Sequence, residues 1–471
     1  MIRCGRWVCG SLVLALGWGV SAPAQGADEA VFELKQVSPF PEVERDRSLR
    51  LVRGISIHCT KPRKQSLKRF PQLKSKRPLY GTAHFGPQHE NPSQMVVLDF
   101  LLDESDGTGT GHDRLYVDTD RDGDLNDEKV LKPMKDPPAG AMLRRGTRRK
   151  VCFEYLMVDL DHGPQLGVRP FRILPVLTDY GGGRTQMAFI PAVAWKGTVR
   201  LGKREYTALL GQQYSVSARF DSPRTALYLT PVGKGAQRAR WWGADTSAAM
   251  HCVDGTYYSL SASPAGDKLT VKPYDGDLGV LELGPGNRKL ETFEMNGSLR
   301  SETTAVAVGE VKGEGNWPEK TRRAELPVGD YLPAIMSIYY GRLRLSVSNN
   351  YHQEGGYRSG KSMARVYGIK IRKDKPFVLD FSNKPKVLFV RPTKEQRVRR
   401  GDEVRVEAVL IDPVLDVMIR GLDDTSRKTK KTYKSADGKT HTYERNLSLD
   451  PKVTVSNSRG KQVAEGKMPF G

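Results

Sequence analysis

The chain has 471 residues and a formal charge of +21, from 75 Lys and Arg against 54 Asp and Glu, and near +19 without Arg3 and Arg6. Its length leaves room for several ordinary cores, and its five scattered cysteines exclude both a disulfide framework and a zinc site of short Cys spacing. A surface this positive attracts polyanions, such as anionic polysaccharide, lipid head groups or nucleic acid, through a salt-dependent, sequence-independent force.

In chain order, Arg3 and Arg6 precede an apolar run from Trp7 to Val20 and the small residues Ser21-Ala22-Pro23-Ala24. This is the order of a secretory signal peptide, so residues 1–24 are expected to be removed and the protein exported to the periplasm, cell surface or medium. No segment offers the roughly 18 uninterrupted apolar residues of a spanning helix, so no transmembrane segment is expected. Cys4 and Cys9 fall within the signal, which leaves Cys59, Cys152 and Cys252 as three buried thiols, or as one bridge and a free thiol.

About 445 residues remain, and short apolar–polar alternations bounded by Gly, Pro, Asn and Asp recur through them. The predicted class is all-β and mainly antiparallel, in several sandwich or small-barrel units. The cuts fall at 28–150, 151–245, 246–370 and 375–471, the last sandwich-like. Predicted strands include the hairpin Thr198–Leu201, Gly202-Lys203, Arg204–Leu209; Tyr257–Ser261 with Lys268–Val271; and Arg342–Val347. Further on come Phe377–Phe381, Lys386–Val390, Val404–Ile411 and the closing hairpin of Lys452–Val455 with Gln462–Ala464. Three basic runs, Lys61 to Arg77, Arg144 to Lys150 and Arg427 to Lys439, lie among Pro, Gly, Ser and Thr and read as loops.

The densest chemistry lies from Asp118 to Glu128, reading Asp-Thr-Asp-Arg-Asp-Gly-Asp-Leu-Asn-Asp-Glu, with Lys129 next. Acids at alternate positions of a curling loop all point inward and supply the oxygens that calcium prefers. Asp118, Asp120 and Asp122 have that spacing, Gly123 stands where the chain turns sharply, Asp124 offers its carbonyl, and Leu125 sits where such loops carry an apolar residue. Over about a dozen residues this resembles the calcium loop of EF-hand and dockerin-type proteins. The resemblance implies a calcium ion with Asp118, Asp120, Asp122 and Asp124 as ligands. The family's twelfth-position acid is replaced by Lys129, so the closing ligand is open between Asp127 and Glu128. Arg114–Val117 reads as a strand and Pro133 forbids a full exit helix, which implies strand-loop-strand and a structural ion. The chain as a whole has the style of exported proteins of environmental bacteria.

Other patterns carry less. Asp122–Leu125 recurs as Asp275-Gly276-Asp277-Leu278 without upstream acids and is expected to be a hairpin turn. Gly355 to Ser362 fits the phosphate-loop pattern Gly-x4-Gly-Lys-Ser but has no buried strand before it, so no nucleotide is expected. Trp241-Trp242 reads as core packing, with a stacking platform as the alternative. No nucleophile elbow appears among these residues. Three functions remain: an exported calcium-binding scaffold or binding module; a calcium-stabilised hydrolase of polysaccharide or peptide, with Asp103, Glu104, Asp106 and Asp113 as candidate acids; and a polyanion-binding protein that uses the basic loops.

Overall fold

The structure, a computed structural model, describes residues 29–86, 95–142, 149–181, 183–222, 225–233, 246–284, 293–311, 314–315, 323–349, 352–353, 356–357, 367–381, 383–391, 401–415, 417–434 and 440–470, with 396, 397 and 399 besides. Residues 1–24, expected to be a signal peptide, Trp241-Trp242 and most of Gly355–Ser362 lie outside these residues.

The protein is all-β, mainly antiparallel and multidomain, with no closed barrel among its sheets. Among the described residues, helix is limited to Pro39–Arg45 and the single turn Ala139–Met142. No helix among the described residues is long and apolar enough to cross a membrane. A 13-stranded sheet starts at Ala30–Glu33, passes through Lys268–Pro273, Thr256–Ala262 and Ala249–Val253, and ends at Glu407–Asp412 and Lys386–Arg391. Strands on both sides of residue 375 therefore continue one sheet. Among the described strands two pairings are parallel, Ala249–Val253 with Ala305–Val308 and Leu278–Leu283 with Phe377–Leu379.

The predicted hairpins are present, and their turns show why. Leu201 pairs with Arg204 around Gly202, whose φ of +59° suits the first central place of a type II′ turn. A further hairpin, not among those predicted, pairs Val253 with Thr256 around Asp254 and Gly255, both left-handed, as a type I′ turn requires. The second Asp-Gly-Asp-Leu copy departs from expectation. It joins Lys268–Pro273 to Leu278–Leu283, which lie in different sheets, and Asp277 is held by Lys373 Nζ at 2.8 Å. It is a crossing between sheets, not a hairpin turn.

The third basic run is also corrected. Residues 427–434 lie in the 18-residue strand Val417–Lys434, which pairs with Thr440–Ser448. Thr and Tyr alternating with Lys have strand propensity, and an exposed two-stranded ladder lets the lysines stay in water while their backbone is satisfied. Cross-strand chemistry helps, with Lys430 opposite Glu444 and Thr432 opposite Thr442.

Two sheets frame the regions of interest. In the first, Val96–Asp103 lies between Leu79–Phe85 and Arg114–Val117, all antiparallel. Its side chains alternate between two cores: Leu98, Phe100, Leu102, Leu115 and Val117 join the largest cluster, whereas Leu101 and Tyr116 pack on the other face with Leu67, Tyr80 and Leu125. In the second, Val168–Asp179 carries Thr185–Pro191 on one edge and Arg149–Cys152 on the other.

Cys59, Cys152 and Cys252 are free and belong to different hydrophobic clusters. Burial pushes the Cys59 thiol up to about 12 and Cys252 to about 11, and raises Cys152 as well. Thiolate is the reactive form, so these thiols should be inert in the native state. A thiol-alkylating reagent at pH 8, followed by mass spectrometry, should label the native protein slowly and all three sites at once in guanidinium; rapid stoichiometric labelling without denaturant contradicts this.

Candidate metal centre

The acidic loop begins where Arg114–Val117 ends. The Asp118 N–H donates to the Asp99 carbonyl at 2.9 Å, and the chain returns to pair Leu131 with Leu115 through two backbone bonds of 3.0 and 2.8 Å. The loop is thus strand-flanked before it and closed by a single bridge after it.

Inside, each acid organises the next turn. Asp120 Oδ1 accepts the Asp122 N–H at 3.3 Å, Asp122 Oδ1 the Asp124 N–H at 2.6 Å, and Asp124 Oδ1 the Asn126 N–H at 2.9 Å. Such Asx turns curl the chain without a helix. Gly123 has φ +82°, and a Cβ there would lie 2.5 Å from the Ser66 carbonyl oxygen, so only glycine fits. Leu125 is fully buried and anchors the loop to the sheet.

The close approach at Gly123 reflects a strap from the first basic run. Lys68 and Arg69 N–H both donate to the Gly123 carbonyl, at 2.7 and 3.1 Å, and Leu125 N–H donates to the Arg69 carbonyl at 3.1 Å. Arg69 Nη1 also meets Asp124 Oδ2 at 3.1 Å. Sequence reading missed this strap, because its segments lie 55 residues apart and the only linear hint was opposite charge on two loops.

Of the six predicted ligands, the fold brings three together. Carboxylate oxygens of Asp118, Asp120 and Asp122 lie within 4.8 Å of one another, a separation that one ion with Ca–O distances of roughly 2.3–2.6 Å can bridge. Asp120 and Asp122 are exposed, whereas Asp118 is 5 % exposed and its Oδ1 is buried with no hydrogen-bond partner. Burial raises the Asp118 carboxyl above its ordinary range; the charges of Asp120 and Asp122 add to this, and the N–H groups of Gly123 and Arg121 oppose it. All three donors are carboxylate oxygens, the chemistry of a hard cation.

The other three acids are placed differently. Asp124 spends its carboxylate on Asn126 and Arg69, and the Asn126 N–H foremost holds it below its usual range. Asp127 is exposed. Glu128 folds back over the start of the loop, where Thr119 Oγ1 donates to both its oxygens at 2.9 Å and Thr119 N–H to one of them. Its carboxyl is raised by burial first and by the nearby Asp120 charge. Of the two open closing positions, the fold therefore returns Glu128 to the loop's beginning. Lys129 points to Glu154, at 3.7 Å.

Of the acids proposed for hydrolysis, Asp103 and Glu104 are buried in hydrogen-bond networks of the fold. Asp103 is fully buried, accepts the Ser75 N–H at 2.7 Å and Lys74 N–H at 3.1 Å, and meets Arg114 at 3.5 Å. Glu104, also fully buried, accepts from Ser75 Oγ at 2.9 Å, Thr108 Oγ1 at 2.8 Å, Gly111 N–H at 2.9 Å, Thr110 N–H at 3.2 Å and Gly109 N–H. Burial alone would raise its carboxyl, but the bonds from Gly111, Thr108, Gly109 and Ser75 outweigh that and bring it down to about 2. A general acid needs a raised value and reach to substrate, and Glu104 has neither. Asp113 Oδ1 accepts the Ser105 N–H at 2.7 Å. Asp106 is exposed.

Compared with known proteins, the chain matches no family model, and neither a curated protein nor a solved structure is detectably similar to it. Functional reading therefore rests on geometry.

A depressed folded-state carboxyl stabilises above its unfolded value and loses that contribution as pH falls toward the folded one. Glu104→Gln should cost on the order of 2 kcal/mol at pH 7. Because Glu104 lies at about 2 when folded against an ordinary 4.5, the gap between wild type and variant should narrow as pH falls through that window. Chemical denaturation across pH 7 to 3 reads the effect, and a gap independent of pH contradicts it.

Proposed function

We propose that this is an exported calcium-binding β protein in which the ion stiffens one loop of a scaffold or binding module. The observation that carries the reading is Asp118: a carboxylate 95 % withdrawn from water, with one oxygen unpartnered, beside two more carboxylates. A buried ionised carboxylate with one oxygen left unpartnered is costly, and a cation at the meeting point of the three would offset it. The strand-flanked geometry favours a structural ion, since no helix pair stands on either side to open and close. The secretory signal in residues 1–24 supports export, to a compartment where calcium is abundant enough for a site of modest affinity.

Asp118, Asp120 and Asp122 would hold the ion through side chains and Asp124 through its carbonyl, with water completing the shell where a twelfth-position acid is missing. Imperfect closure puts the dissociation constant on the order of 0.1–1 mM. Isothermal titration of the full chain lacking residues 1–24 should give calcium heat in that range, abolished in Asp120→Ala/Asp122→Ala; absence of heat in the wild type contradicts the reading.

Because Lys68 and Arg69 are bonded to Gly123, ordering the loop should also order the basic strap. Limited trypsin digestion should cut between Lys61 and Arg77 several times more slowly with 5 mM calcium than with chelator, and the Asp120→Ala/Asp122→Ala variant should lose that protection. Cleavage there at the same rate in both buffers contradicts the structural role.

A further inference from the structure

A cleft of about 600 Å³ opens where the sheet of Arg149–Cys152 and Val168–Asp179 meets the loops beside Leu79–Phe85. That volume falls within the roughly 300–1,000 Å³ of ordinary ligand sites. Its floor is apolar, from Leu79, Val151 and Leu177. Its walls bring together Lys61 and Arg77, the two ends of the first basic run, with Arg149 from the second. Asp179 is the single acid among the described residues of the lining, and its Oδ1 already accepts the Gly181 N–H at 2.7 Å. Among the described residues none of the three cations has a carboxylate within ion-pair distance; Arg149 reaches only the Thr110 carbonyl, at 3.5 Å.

The wall is rigidly made. Glu104 gathers the amides of Gly109 to Gly111 and the Ser75 hydroxyl, and Ser75 Oγ accepts the Arg77 N–H at 3.1 Å. His112 Nε2 is hydrogen-bonded to the Arg77 carbonyl at 2.9 Å. A buried carboxylate thus fixes the backbone that presents Arg77 and the glycine-rich edge facing Arg149.

We infer that this cleft binds an acidic saccharide through its carboxylate or sulfate groups. Three cations against one engaged acid, converging on a concave site from segments far apart in sequence, match a ligand with at least two oxyanions. Thr110, Thr185 and the exposed backbone of the glycines offer partners to sugar hydroxyls. Among the described residues the lining holds no Phe, Tyr or Trp, and its one ring, His112, is buried and hydrogen-bonded to the Arg77 carbonyl, so it offers no open platform on which a nucleic-acid base stacks. This inference stands independently of the calcium reading, because the cleft contains none of the calcium ligands.

Fluorescence anisotropy or calorimetry on the full chain without residues 1–24, in calcium-free buffer at low salt, tests it with a heparin-type sulfated oligosaccharide, an oligogalacturonate and inorganic phosphate. At least one saccharide should bind, more weakly as salt rises, and phosphate should only compete weakly. Lys61→Gln/Arg77→Gln/Arg149→Gln should weaken binding at least ten-fold, and Arg77→Gln alone at least three-fold should the triple variant fail to fold. Lys428→Gln/Lys430→Gln/Lys431→Gln, on the exposed basic ladder, removes the same charge elsewhere and should change binding less than two-fold. Equal loss in the ladder and cleft variants, unchanged binding in the cleft variants, tighter binding of phosphate alone, or no saccharide binding at low salt overturns the inference.

Discussion

A carboxylate removed from water must be neutralised, saturated with hydrogen bonds or joined to a cation, and this requirement shapes the N-terminal part of the molecule. The fold meets it in two ways a few residues apart. Glu104 is saturated: hydroxyls and backbone amides surround it, and its carboxyl sits at about 2. Asp118 is left with a buried, unpartnered oxygen and with two further acids whose charges push its carboxyl upward. The first arrangement is complete within the chain, whereas the second would be completed by the proposed ion.

Much depends on how the acidic loop is held. Leu125 seats it in the small core under the three-stranded sheet, and the Gly123 carbonyl takes two amides of the basic run. The same run begins at Lys61 and ends at Arg77, both on the wall of the cleft. Calcium at Asp118, Asp120 and Asp122 would therefore brace the middle of a segment whose ends present charge to a ligand, while Glu104 braces its far end from within. This joins two readings of the sequence, a calcium-stiffened module and a polyanion binder, into one mechanical unit.

What was legible in the sequence was local. Alternation identified the strands, and Gly202 marked a hairpin turn because its φ requirement is written in residue type. Asp118, Asp120, Asp122, Gly123 and Leu125 could be placed from spacing alone, since a loop's own turns fix where its side chains point. The illegible part was non-local. Nothing in Ser66 to Arg69 reveals that it straps a loop 55 residues on, and nothing in Lys61, Arg77 and Arg149 reveals that they share a cleft. Charge pattern misled twice. Asp103 and Glu104 stood among the candidate acids but are buried and hydrogen-bonded, and lysines after Arg427 looked like a loop but line a two-stranded ladder, because an exposed ladder has no apolar face to betray its period.

The most direct test is a crystal structure of the protein without residues 1–24, grown in millimolar calcium, with anomalous data collected at long wavelength. The expected result is a calcium peak within about 2.3–2.6 Å of oxygens from Asp118, Asp120 and Asp122 and of the Asp124 carbonyl. A fully occupied water, or the Arg121 or Lys68 side chain, in contact with Asp118 Oδ1 in place of an ion would contradict the account.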